Sequence, residues 1–141
     1  MQDNRFDVVV VGGGMVGAAL ACGLALQQFR VAVVERAEPA PFDADSDPDV
    51  RISAIGSASA GLLKQLDVWP RVQAMRCAPY RKLETWEWQT AHVSFDAASL
   101  GLPELGFMVE NSVLQRALWE RMEQLGQIQA RIKARSVGYL L

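Results

Sequence analysis

Val8-Val9-Val10-Val11-Gly12-Gly13-Gly14-Met15-Val16-Gly17 is the stretch from which the fold is read. The run Phe6–Val11, ending in glycines, has the pattern of a strand buried on both faces. The glycines fit G-x-G-x-x-G between that strand and a helix, the context the motif requires. Gly12 permits the tight turn, and Gly14 lets a pyrophosphate approach the backbone. Gly17 lets the helix pack close to the strand. The helix N-terminus then offers free N–H groups and a positive dipole end to phosphates. Working outward, Met15–Gln28 has the Ala and Leu content of a helix. Arg30–Glu35 is a second buried strand, closed by an acid. Together they predict a parallel, right-handed β-α-β unit. Glu35 stands where a carboxylate accepts hydrogen bonds from both ribose hydroxyls of an adenosine. It would repel a 2′-phosphate, which disfavours NADP in this pocket. FAD and NAD both remain open on these residues alone.

The same stretch also invites a different reading. Val8–Leu26 carries no charge and is long enough for a membrane span. Glycines interrupt it, its front is β-branched and its back alanine-rich, which fits strand, turn and helix better. Ala19-Leu20-Ala21-Cys22 faintly resembles a lipoprotein cleavage site, but Met1–Asp7 lacks a positive n-region. Across all 141 residues, 50% are hydrophobic and 21% charged, as in an ordinary soluble globular protein. The net charge of −2 and the absence of a basic run argue against nucleic acid as a partner. Cys22 and Cys77 are too few and isolated for a disulfide framework and read as buried small residues in a reducing cytoplasm. His92 has no Cys or His at ligand spacing, so no metal site is expected.

Beyond Glu35, Arg36–Val50 carries Pro39, Pro41 and Pro48 among aspartates and reads as an exposed loop. Ser57–Leu66 and Trp69–Met75 read as helices. Arg81–Gln89 alternates as a strand, with Leu83, Thr85 and Glu87 on one face and Glu84, Trp86 and Trp88 on the other. His92–Phe95 would pair with it as a hairpin. Trp86 and Trp88 are expected as sheet core rather than as the wall of a pocket. Glu84 and Glu87 read as solvated strand charges. Gly106–Val109 predicts a strand, and Asn111–Leu125 a helix with its apolar stripe at 114, 117, 118, 122 and 125. Gln127–Lys133 and Val137–Leu141 read as further strands. A chain ending on Val-Gly-Tyr-Leu-Leu suggests truncation within a strand.

Asp49-Val50-Arg51-Ile52-Ser53-Ala54-Ile55 resembles the second FAD contact of the aromatic hydroxylases related to p-hydroxybenzoate hydroxylase. Glu38–Phe42, Pro48–Ala54, Ala74–Cys77, Leu83–Trp88 and Leu105–Leu118 together resemble the ubiquinone-biosynthesis branch of that family. The resemblance runs to about Glu123 and is weak beyond it. It implies a Rossmann-like FAD-binding α/β domain in residues 1–80, part of a β-rich substrate domain in 81–110, and a return to the FAD domain in 111–141. It makes Arg51 a cofactor contact, where a guanidinium suits a pyrophosphate or ribityl neighbour. Asn111 matches the helix-start contact to FAD, although Asn equally favours a plain N-cap. Met15 and Arg36, flanking Gly14 and Glu35, complete the expected cofactor-binding set of Gly12, Gly14, Met15, Gly17, Glu35, Arg36, Arg51 and Asn111.

The resemblance further implies FAD as cofactor, NAD(P)H as electron donor, O2 as co-substrate and a prenylated quinol as substrate. Few side chains act directly in such chemistry, and no catalytic residue is named. Family members are more than twice this length and carry later Asp-Gly and Gly-Asp motifs, neither of which occurs here. The chain is therefore expected to be an N-terminal fragment, inactive by itself. A cytoplasmic location is expected, with peripheral association at the inner face of the plasma membrane and contact with other ubiquinone-biosynthesis enzymes both consistent with it. Unpaired sheet edges favour a homodimer. Two other readings remain: an NAD-binding dehydrogenase domain, which leaves Arg51 and residues 81–118 unexplained, and a non-catalytic dinucleotide-binding module.

Overall fold

A computed structural model of the chain describes residues 5–126 and 128–132. Strand β1 (Val8–Val11) leads through the glycine turn into helix α1 (Met15–Leu26) and back into β2 (Val31–Glu35). β1 and β2 are parallel and in register from Val8 opposite Val31 to Val11 opposite Val34. The span Val8–Leu26 is thus strand, turn and helix, and no helix among the described residues is long and apolar enough to cross a membrane.

Helix α1 turns Ala18, Ala21, Cys22 and Ala25 inward, all essentially buried. These small side chains let it lie close to both the sheet and helix α4 (Asn111–Gln124), where Cys22 Sγ comes within 3.9 Å of the Leu118 carbonyl oxygen. Burial raises the Cys22 thiol to about 11, so it packs as a small apolar group and not as a nucleophile. Helix α4 supplies the opposite wall with Val113, Leu114, Ala117, Leu118, Trp119 and Met122. Trp119, absent from the stripe read in the sequence, is among the largest fully buried side chains bar a sliver.

The loop after β2 gives way to β3 (Ile52–Gly56), then helices α2 (Ser57–Gln65) and α3 (Trp69–Met75). β4 (Ala78–Tyr80), the hairpin of β5 (Lys82–Glu87) and β6 (Ala91–Asp96), β7 (Gly106–Glu110), α4 and β8 (Ile128–Ile132) follow. β8 adds to the far side of β2, giving a parallel sheet in the order β1-β2-β8. A second, antiparallel sheet has the order β3-β7-β4, so β7 bonds to β3 and β4 and not to the hairpin. Trp69 packs edge-on against Phe107 at 4.9 Å, fastening α3 to this sheet.

Residues 81–96 depart from the expectation that Trp86 and Trp88 form sheet core. Trp88 has φ 56° and lies in the turn, outside β5. Trp86 and Trp88 are 71% and 87% exposed, so neither is sheet core. The cross-strand pairs put Leu83, Phe95, Thr85 and Val93 on one face and Glu84, Ser94, Trp86 and His92 on the other. His92 sits 3.8 Å from Glu84 at the surface, and the described residues include no cluster suited to a metal ion. Val137–Leu141 lies outside the described residues.

Candidate functional site

Gly12 continues the parallel ladder by donating its N–H to the Val34 carbonyl at 2.8 Å, then turns with φ +102°. That conformation is open to glycine and strained for any L side chain. Gly14 takes the N-cap position of α1 without a side-chain cap, and a Cβ built there meets nothing within 4 Å. Space is therefore left in front of the unsatisfied N–H groups of the first helical turn. Gly17 faces the other way. A Cβ there would stand 1.9 Å from the Gly12 carbonyl oxygen.

Glu35 stands beside the glycine turn at the end of β2. Its Oε2 accepts the Gly13 N–H at 2.6 Å, and its Oε1 accepts the N–H groups of Arg36 at 2.5 Å and Ala37 at 3.4 Å. The Gly13 N–H is the main cause holding this carboxyl below its ordinary value of 4.5, with Arg36 and Ala37 adding to it and partial burial opposing it. A carboxyl whose folded value is depressed stabilises the fold fully above its unfolded value and loses that contribution as pH falls through the folded one. The unfolding midpoint of the chain should therefore exceed that of Glu35→Gln at neutral pH. The gap should close on acidification below about 4.5. A gap independent of pH would contradict this account.

Arg51 and Asn111 meet at a second point. β3 and β7 pair Ile52 with Glu110, which brings the Asn111 N–H onto the Arg51 carbonyl at 2.9 Å. Asn111 is not an N-cap. Glu110 holds that position, and Asn111 Oδ1 accepts the Ser53 hydroxyl at 2.6 Å. The Arg51 side chain is exposed beside them, as is Arg36 beside Glu35. Met15 is half-buried and lines an apolar groove of about 550 Å³ with Val16, Leu20 and Leu62.

Helix α4 connects the two points. Asn111, Gln115 and Trp119 follow at four-residue spacing along one face. Gln115 Nε2 and Trp119 Nε1 both donate to the Gly13 carbonyl oxygen, at 3.0 and 2.7 Å. A further set fixes the loop before Arg51. Arg76 bonds to buried Glu110 at 3.0 Å and to the Ser46 carbonyl at 2.9 Å, while Glu110 Oε2 accepts the Asp49 N–H at 2.7 Å. Sequence reasoning passed over Gln115, Trp119, Arg76 and Glu110. Only the spacing of Gln115 and Trp119 from Asn111 offered a signal.

Residues 7–48 match the family model described as FAD dependent oxidoreductase. The chain is 63% identical over 132 residues to the 3-demethoxyubiquinol 3-hydroxylase of Escherichia coli, covering 94% of this chain and 34% of that protein. It is 32% identical over 127 residues to the human mitochondrial ubiquinone biosynthesis monooxygenase COQ6, covering 86% of this chain and 27% of that protein. Among solved structures, PqsL of P. aeruginosa in complex with 2-aminobenzoylacetate superimposes with TM-score 0.68 at 21% identity, over 92% of this chain and 34% of that one. The p-nitrophenol 4-monooxygenase PnpA from Pseudomonas putida gives 0.65 at 20% identity, over 89% and 31%. These two show the shared α/β fold. The chain spans about a third of the length of the relatives it matches; over that span it is similar to proteins named for ubiquinol hydroxylation and ubiquinone biosynthesis, and residues 7–48 carry the match to the FAD dependent oxidoreductase model.

Proposed function

We propose that this chain forms the adenosine- and pyrophosphate-binding part of an FAD-dependent monooxygenase that hydroxylates a prenylated benzoquinol. The observation that carries the reading is the open space over Gly14 at an uncapped helix start, with the Glu35 carboxylate at the adjoining strand end. These residues fit the group. Gly12, Gly14 and Gly17 shape a cradle that the diphosphate would enter, with the backbone of Met15 beside it. Glu35 would accept the ribose hydroxyls, and exposed Arg36 would border the adenosine. Arg51 would pair with the pyrophosphate or ribityl chain, and Asn111 would add a polar contact from the start of α4. When bound, FAD supplies the redox chemistry, with NAD(P)H as electron donor and O2 as co-substrate.

The same reading makes residues 81–110 the beginning of a substrate-facing layer. The exposed Leu83, Val93 and Phe95 suit a prenyl chain or further strands. It also favours peripheral membrane association, because the substrate would be lipid-like, and self-association through open strand edges. With about a third of the family length, the polypeptide by itself should bind without turning over.

The test is an absorbance spectrum after mixing the chain with FAD, or in parallel with NAD, and removing excess by gel filtration, with bound flavin read in the visible and bound NAD in the ultraviolet. Retained flavin absorbance is expected, weakened about tenfold in affinity by Glu35→Gln, which replaces an acceptor with a donor facing backbone N–H groups. Retention of NAD but not FAD would overturn the flavin assignment. Equal flavin binding by Glu35→Gln would remove Glu35 from the site.

A further inference from the structure

Gly13 occupies a position at which the dinucleotide motif accepts any residue, so the motif does not explain it. The structure does. A Cβ on Gly13 would come within 2.9 Å of Trp119 Cζ2 and 3.1 Å of Glu35 Cβ. The glycine is pressed between the buried indole on one side and the acidic side chain on the other. Its carbonyl oxygen receives two side-chain donors, Trp119 Nε1 at 2.7 Å and Gln115 Nε2 at 3.0 Å, from residues more than a hundred positions along the chain. Its N–H is given to Glu35 Oε2 at 2.6 Å. The Gly13 N–H and C=O belong to the two adjoining peptide units, joined at a residue with no Cβ to restrict rotation between them. Here each unit is held by its own partner, the first by Glu35 and the second by Trp119 and Gln115.

We propose that Trp119 and Gln115 are positioning residues for the dinucleotide site: they clamp the Gly13 carbonyl, and with it the Gly13–Gly14 peptide, from helix α4 and so keep the Gly13 backbone where its N–H reaches Glu35, setting the carboxylate for the ribose. Neither side chain would touch the cofactor. Trp119 is 2% exposed and backs the loop from the core side. Because the two donors sit one helical turn apart on α4, whose first residue is Asn111, the helix also fixes the separation between the adenosine end and the Arg51–Asn111 point. The inference rests on reading this loop as a dinucleotide site, but the clamp itself is measurable without ligand.

The experiment uses the 141-residue chain with Trp119→Phe, Gln115→Met and the double variant. Gln115→Met keeps the side-chain length and Trp119→Phe keeps an aromatic ring, and both remove the donor. The Gly13 amide proton and the Glu35 carboxyl titration are followed by NMR, and FAD affinity by flavin absorbance. In the double variant, the Glu35 midpoint should rise toward that of an ordinary glutamate, because the Gly13 N–H that lowers it is no longer aimed. The Gly13 amide should move upfield, and FAD should bind about tenfold more weakly. The single variants should fall between. Gln115→Met, at a half-buried position, carries the test should Trp119→Phe fail to fold. Unchanged Gly13 and Glu35 signals in the foldable variants would overturn the clamp. So would shifted signals with unaltered FAD affinity, because positioning would then be without effect. If the signals shift but even the unmodified chain binds no FAD, the clamp stands as a feature of the loop, and the proposed function is what fails.

Discussion

Gly17→Ala is expected to destabilise the chain by about 3 kcal/mol and to abolish flavin retention. The added Cβ would lie 1.9 Å from the Gly12 carbonyl oxygen, 3.1 Å from its carbon and 3.3 Å from Val10 Cγ1. The first two are backbone atoms, so no side-chain rotation relieves the contact. Either α1 must move away from β1, losing burial of Ala18 and Ala21, or Gly12 must abandon its left-handed turn. Both responses displace the helix N-terminus from the position where phosphates would meet it. Gly14→Ala is the informative contrast. Nothing lies within 4 Å of a Cβ there, and φ −69° suits alanine, so the fold should keep its unfolding midpoint. The new methyl would instead fill the space left for the diphosphate and weaken FAD. Chemical denaturation and flavin retention, measured on both variants, separate the two effects. A Gly17→Ala chain with an unaltered midpoint would mean that the close packing of α1 on β1 is not what this glycine provides.

That contrast also marks how far the sequence could be read. The β-α-β unit was legible because its signals are local. Four valines, a glycine turn, an alanine-rich helix and an acid at a strand end each act within a few residues. The antiparallel contact that brings Asn111 to Arg51 is a different matter, because it depends on β7 returning to β3 across more than fifty residues. The sequence reading gives β7 as a strand, leaves β3 unassigned and says nothing of their pairing; the resemblance to a family singled out the two residues, and the sheet shows why they meet. Trp119 was invisible for a related reason. The apolar stripe of α4 fits leucines and alanines facing α1, whereas the indole turns toward a loop and uses its N–H there. The error on Trp86 and Trp88 has the opposite origin. Strand aromatics usually pack, but packing needs a second layer, and the described residues supply none over the β5–β6 hairpin.

Arg76→Met is the second large effect, with an expected loss of about 3 kcal/mol. Glu110 is 7% exposed, and its carboxylate is held by the Arg76 guanidinium at 3.0 Å and the Asp49 N–H at 2.7 Å. Removing the arginine leaves a buried charge with one backbone donor, the costly half of breaking an ion pair. It also removes the bonds to the Ser46 and Ala44 carbonyls and the stacking over Phe42 at 5.3 Å, so the loop preceding Arg51 loses its anchor. Changing both partners, Arg76→Met with Glu110→Met, should cost far less than the sum of the single changes, because no unpaired charge remains. Simple additivity in that cycle would show the pair to be incidental. Limited proteolysis supplies the link to function: cleavage within residues 42–50 should accelerate in Arg76→Met at temperatures well below unfolding. Arg51 follows that loop directly, its N–H bonded to Asp49 at 3.1 Å, so a freed loop should weaken FAD even though Arg76 lies away from the glycine cradle. Faster cleavage without weaker binding would separate the loop's order from the site and leave the strand pairing and the Asn111 contact to hold Arg51.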